Sequence, residues 1–355
     1  MRILFIGGSN LVIKNGLSSI LPSYLASHFN RDIEEIVNIA VPGTGSLFGV
    51  HNLLELKDAE KFDFVFIEYG INDYSLFTRN PVLWKDGFSG LIKTVQVKCP
   101  NAAIVTILLG RRDKKFHVRQ QAMHAQMREI SEELNVVVAD IDSLFRSERM
   151  AAMDFSQFYI DGNHFKPPLV TNFIATVCTL KAVEAASKKR RGRQASAKTF
   201  KSPFQAWDLS EKLGAQYKNS EFRNSKFELK SITLEAGNEI ALNTNEYPCG
   251  ISFVSHKTSG SLLINVDGQK SILHSMHRRV HTGEFDFLLR HNPFYWLTDE
   301  LSASAKKKEL SITMRVIDSD DIEWDEGIIR PSYEMIPVRP GRGSAVHLVG
   351  LTTIK

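Results

Sequence analysis

Two kinds of hydrophobic spacing divide this chain, and they constrain its fold more than any other feature. Up to about residue 186, short unbroken apolar runs alternate with longer amphipathic ones. "RILFI", "IEEIVNIAV", "FDFVFIEYG", "AAIVTILLG" and "NVVVADI" read as buried strands, because a strand covered on both faces has no polar side to show. Between them lie "LSSILPSYLASHF", "DGFSGLIKTVQVK" and "VRQQAMHAQMREISEELN", which read as helices. Strand and helix in strict turn require a parallel sheet with helices on both faces. A last helix, "LVTNFIATVCTLKAVEAASKK", closes this half.

From about residue 204 the pattern changes. "FELKSITLEA", "EIALNT", "GISFVSH", "GSLLINVDG", "GEFDFLLR", "LSITMRVID" and "AVHLVGLTTI" are short, β-rich and separated by Gly, Asn, Asp and Pro. Seven or so strands at this spacing predict a second, sandwich-like β domain over 204–355. The stretch between the halves, 187–203, reads as a linker. It holds seven basic residues (Lys188, Lys189, Arg190, Arg191, Arg193, Lys198 and Lys201) and no acid. Without those seven the formal net charge of +4 becomes −3, so the basic character is one local tract and the chain is no nucleic-acid binder by its overall charge. A solvated connector is the plain reading of the tract, and peripheral contact of this tract with an acidic membrane surface or nucleic acid the alternative.

At 355 residues two domains are expected, and 43% hydrophobic with 24% charged residues is an ordinary globular composition. Three widely spaced cysteines, Cys99, Cys178 and Cys249, fit a reducing compartment. The opening apolar run has the length of one strand, which reads as no signal peptide, and no window reads as a membrane span. A cytoplasmic protein is the resulting expectation.

Ligand sites of an open parallel sheet form at the carboxyl ends of its strands. Ser9 follows the first run, in "GGSN"; Gly43 follows the second, in "VPGTGS"; Gly70 and Asn72 follow the third, in "GIND". Asp161 and His164 stand in "DGNH", just before the last helix. These are the parts of an acyl-transfer site. A serine needs a base to take its proton, and His164 is the candidate. Asp161 would orient the imidazole, and the Asn72 amide with the Ser9 and Gly43 N–H groups would hold a tetrahedral oxyanion.

The set Ser9, Gly43, Asn72 and His164 resembles the four-block signature of the SGNH hydrolases, also called GDSL esterases and lipases. The resemblance covers roughly residues 1–186. It implies a three-layer α/β/α sandwich with a five-stranded parallel sheet of the flavodoxin-like kind, and ester or acetyl chemistry with no metal or organic cofactor. The chain departs from the pattern at Gly8, where the family usually has an Asp that supports loop geometry. The second block also allows Gly45 as donor, though the spacing from Asn38 favours Gly43.

The resulting expectation is a serine esterase removing acyl groups, chiefly acetyl, from a carbohydrate through Ser9, His164 and Asp161. The carbohydrate rests on family habit and on Trp207, Tyr295, Trp296 and Trp324 as sugar-stacking candidates in the β domain. "GRRDKK" sets Arg111 and Arg112 on the rim of the sheet, where they are either a solvated loop or a contact for an anionic substrate. The second option opens the alternative of an O-acyltransferase using acetyl-coenzyme A. A non-catalytic glycan-binding scaffold is a third reading, suggested by Gly8. His28, His51, His117 and His124 lack a carboxylate nearby in sequence and compete poorly with His164. "MHRRVHTGEF" echoes the end of a zinc finger, but the nearest cysteine before it is the lone Cys249 and no Cys pair stands ~12 residues upstream, so His277 and His281 read as strand and loop residues.

Overall fold

The computed structural model describes residues 1–147, 154–192, 202–224, 228–297, 309–318, 328–329, 334–338 and 344–355. The chain divides into two compact units, Met1–Pro203 and Phe204–Lys355.

In the first unit, β1 (Arg2–Gly7), β2 (Glu35–Asn38), β3 (Phe64–Glu68), β4 (Ala103–Leu108) and β5 (Val137–Asp140) form one sheet. The order is β2-β1-β3-β4-β5, and every pairing is parallel. The connections carry α1 (Leu17–Phe29), α2 (Ser46–Glu55), α3 (Tyr74–Arg79), α4 (Pro81–Lys98), α5 (His117–Glu133) and α6 (Ile141–Phe145). The closing helix is α7 (Leu169–Gly192).

Alternate strand residues point to opposite faces. Ile3, Phe5, Phe66, Val105 and Ala139 pack with Leu21 of α1 and Ile174 and Cys178 of α7. Leu4, Ile6, Val65 and Ile67 turn the other way and are just as buried, as are the inner faces of α2, α4 and α5. Burial on both faces is why the central strands read as continuous apolar runs. The second run behaves differently. Only Glu35–Asn38 is strand, it lies at the sheet edge, and three of its four residues are exposed.

Helix α7 runs six residues into the stretch read as a linker. Lys188 reaches back to Glu184 at 3.7 Å, and Lys189 donates to the carbonyls of Pro100 and Ala102. Contrary to the sequence reading, Leu169–Lys189 is long and apolar enough to cross a membrane by length and composition. Its apolar stripe belongs to the sheet's core cluster instead.

The second unit holds β6 (Phe204–Asp208), β7 (Lys218–Arg223), β8 (Glu228–Glu235), β9 (Glu239–Thr244), β10 (Tyr247–His256), β11 (Ser261–Val266), β12 (Gln269–His274), β13 (Phe287–Pro293), β14 (Leu310–Val316) and β15 (Ala345–Ile354). They make two antiparallel sheets. One runs β13-β10-β15-β8-β7 with β6 also on β15, and the other runs β12-β11-β14-β9. The sequence reading missed β6, β7 and β12. For β12 a signal was there: Asp267 and Gly268, both with positive φ, form the two-residue turn of a tight hairpin.

Candidate active site

Strand β1 ends at Gly7, Gly8 is extended, and Ser9 opens a short 3-10 turn, Ser9–Leu11. The Gly8 N–H donates to the Glu68 carbonyl at 3.1 Å, which fixes the loop to the neighbouring strand. Gly8 has a specific reason to be glycine. A Cβ there would lie 2.6 Å from Nδ2 of Asn72, closer than non-bonded atoms approach. The Asp that the four-block pattern expects would fit here only with a shift of the Asn72 side chain.

His164 sits on a loop closed by the bridge between Tyr159 and Phe165 and by the Ile160 N–H on the His164 carbonyl at 2.8 Å. Asp161 shapes this loop. Its Oδ1 accepts from the N–H groups of Asn163 (2.7 Å) and His164 (3.0 Å). Its Oδ2 lies 2.7 Å from His164 Nδ1, and His164 Nε2 lies 2.7 Å from Ser9 Oγ. A carboxylate only accepts, so Nδ1 carries the hydrogen and Nε2 is left to accept from the serine hydroxyl. Burial alone would raise the Asp161 carboxyl, but the His164 ring and the two N–H groups outweigh it and hold it below its ordinary value. Asn10 joins the two loops: its Nδ2 donates to the Asn163 carbonyl at 3.1 Å and its Oδ1 accepts the Phe165 N–H at 3.3 Å.

The third loop, after β3, brings Asn72 against Gly8 on one side, while its Nδ2 donates to the Thr44 carbonyl at 2.9 Å on the other. Gly43 stands next to Thr44 with φ of 71°, a backbone shape that glycine adopts without strain. Asp73 does a different job. It is buried, accepts the Ser46 N–H at 2.7 Å and the Trp84 indole N–H at 3.2 Å, and so ties this loop to α2 and α4. Burial pushes its carboxyl up to about 6, against those two hydrogen bonds. Gly45 precedes α2 and packs on Asp73, where a Cβ would meet the carboxylate at 2.6 Å.

The two rim arginines differ from each other. The Arg111 guanidinium lies over the rings of Tyr74 (4.9 Å) and Phe116 (4.7 Å) and donates to the Ile71 carbonyl at 3.3 Å. It is committed to packing rather than offered to an anion. Arg112 is more exposed and lies 3.6 Å from Asp113. Two groups escaped the sequence reading. His124, judged to lack a carboxylate, is buried with Nδ1 3.1 Å from Asp142 Oδ2. Glu68, the last residue of β3, is fully buried directly beside Gly7.

Residues 8–167 match the model of the GDSL-like Lipase/Acylhydrolase family. This stretch is a GDSL-like acylhydrolase domain, and the chain is an esterase-type enzyme. No curated protein matches it. Among solved structures, a two-domain esterase (CEX) active on acetylated mannans superposes with a TM-score of 0.67 at 14% identity, covering 100% of this chain and 91% of that one. The same esterase co-crystallised with mannopentaose gives 0.66 at 13% with the same coverage. A single-residue variant of Axe2, an acetyl xylan esterase from Geobacillus stearothermophilus, matches 52% of this chain and 94% of its own at 16% identity and a TM-score of 0.41. The two-unit architecture is thus shared along the whole length with the mannan esterase fold.

Of the aromatic residues singled out in the β unit, Trp207 has the Lys212 ammonium over its ring at 3.2 Å. Trp296 packs beside Phe294 at 5.6 Å, Tyr295 is half-buried, and Trp324 lies outside the described residues. His277 caps a short turn and pairs with Glu334 at 3.2 Å.

Proposed function

We propose that this enzyme removes O-acetyl groups from a carbohydrate by way of an acyl-enzyme on Ser9. The observation that carries the reading is the unbroken run of short hydrogen bonds from Ser9 Oγ through the His164 ring to Asp161. In the first step Ser9 Oγ attacks the ester carbonyl while its proton passes to His164 Nε2. Asp161 holds the imidazole in the accepting tautomer and offsets the positive charge the ring acquires. The negative charge on the former carbonyl oxygen is met by the N–H groups of Ser9 and Gly43 and by the Asn72 amide. Ser9 opens its helical turn, so its N–H has no partner within that turn. Collapse of the adduct expels the sugar hydroxyl, which takes the proton from His164. Water then repeats the sequence against the acetyl-Ser9 ester and releases acetate. Each step uses the chain's own residues and water.

The carbohydrate part of the proposal is supported by the full-length likeness to an esterase active on acetylated mannans, and rests on that likeness alone. The test is acetate release from acetylated mannan and hydrolysis of p-nitrophenyl acetate by parent and Ser9→Ala enzyme. The expected result is release by the parent and a loss of ~10³-fold or more in kcat for the variant. Activity of Ser9→Ala within a few-fold of the parent overturns the site. Hydrolysis of the small ester with acetylated glycans left untouched overturns the substrate class.

A further inference from the structure

The loop that carries Asn72 is held from behind by a buried polar network that the reaction above does not use. Gly70 is two residues before Asn72, and its carbonyl accepts from two fully buried side chains of α5. These are Gln120 Nε2 at 3.0 Å and His124 Nε2 at 2.9 Å. The next carbonyl, Ile71, accepts from Arg111 at 3.3 Å. Both carbonyls are therefore engaged by α5 and the loop that leads into it, while the Asn72 amide lies against Gly8. A carbonyl turned towards the reacting centre would repel the oxyanion that the amide is there to meet.

His124 is itself held. Its Nδ1 is 3.1 Å from Asp142 Oδ2, and Asp142 Oδ1 accepts from Arg146 Nε at 2.7 Å. Both ring nitrogens thus face acceptors, so the two bonds form together only when the ring carries a hydrogen on each nitrogen; Nδ1 then anchors the ring to α6 and Nε2 reaches the catalytic loop.

We propose that His124 is a positioning residue for the esterase reaction, acting through the Gly70 carbonyl to keep the Asn72 amide directed at the oxyanion. The inference rests on the reading of Asn72 as an oxyanion donor. It separates His124 from an ordinary core histidine because the two ring nitrogens can be mimicked one at a time. The amide nitrogen of glutamine falls near the place of Nε2, and that of asparagine near the place of Nδ1.

The experiment compares His124→Gln, which can still reach Gly70, with His124→Asn, which can still reach Asp142, in the full chain. Turnover of p-nitrophenyl acetate is referred to active sites titrated with a fluorophosphonate, so that misfolded protein does not enter kcat. His124→Asn is expected to lower kcat about tenfold or more with KM within about twofold, because misplacing one group of a catalytic set slows the chemical step. His124→Gln is expected to stay within about threefold of the parent. Equal kcat for both variants and the parent, a lower kcat for Gln than for Asn, or a loss confined to KM overturns the proposal. Should His124→Asn give no titratable sites, His124→Ala takes its place: it too cannot reach the Gly70 carbonyl, and unchanged kcat in it overturns the proposal equally. Ser9→Ala is run alongside: if it remains active the active-site reading itself fails, whereas a dead Ser9→Ala with parent-like His124→Asn sinks only the role of His124.

Discussion

Replacing Glu68 with glutamine should stabilise the first unit, and by an amount that grows with pH. Glu68 ends β3 in register with Gly7, is 0% exposed, and neither of its carboxyl oxygens has a hydrogen-bond partner among the described residues. Burial raises its carboxyl from an ordinary value of 4.5 to about 8; the nearby Gly8 N–H opposes the rise and the Asp73 charge adds to it. The folded chain therefore holds a proton that the unfolded chain gives up. An acid raised in this way leaves full stability below about pH 4.5, and that stability drains away as pH rises towards 8. At ~1.4 kcal/mol per pH unit, the penalty at pH 7 is roughly 3 kcal/mol. Glutamine carries no proton to lose, so Glu68→Gln should gain that amount at pH 7, less whatever its buried amide costs in place of a buried acid. The assay is urea unfolding at pH 5, 6, 7 and 8, followed through loss of esterase activity, which reports the first unit. The gap between variant and parent should be smallest at pH 5 and widen by about 1 kcal/mol or more per unit up to pH 8. A gap that does not change with pH, or that narrows as pH rises, would show that Glu68 is not a buried acid of this kind.

Gly8→Asp would set a Cβ 2.6 Å from Asn72 Nδ2, so kcat for p-nitrophenyl acetate should fall about tenfold or more; parent-like turnover would show that Asn72 yields at no cost. His164→Ala removes the base and should cost ~10³-fold or more in kcat, whereas Asp161→Asn leaves the ring in place and should cost less. The reverse order, measured at neutral pH, would mean that Asp161 acts on the substrate directly. Arg111→Ala removes a guanidinium stacked on two rings and should lower the unfolding free energy by ~1–2 kcal/mol in the same urea assay. Arg112→Ala should leave both stability and hydrolysis of a small neutral ester unchanged, and a tenfold fall in kcat/KM would place it in the site after all.

The order and kind of the elements in the first unit were legible in the chain, because burial on two faces imposes unbroken apolar runs on β1, β3 and β4 whatever they pack against. Ser9, Asn72, Asp161 and His164 were marked as well, since short blocks at strand ends are local signals. The edge position of β2 was not legible, because whether a strand has one neighbour or two depends on the order β2-β1-β3-β4-β5. Asp161 and His164 are three residues apart and their bond could be expected from spacing. Ser9 and His164 are 155 residues apart, and only the sheet, with Asn10 bridging the two loops, brings them to 2.7 Å. The partnership of His124 with Asp142 has the same character: 18 residues separate them, on two different helices, and nothing in the local pattern pairs them. Gly8 is the sharpest case. As a letter in the sequence it departs from a family pattern, and as a position in space it is where any side chain would meet the Asn72 amide and one of the two would have to shift. Local patterns record what each residue needs from its neighbours in the chain; packing decides which distant groups share a space, and the active site is made of the latter.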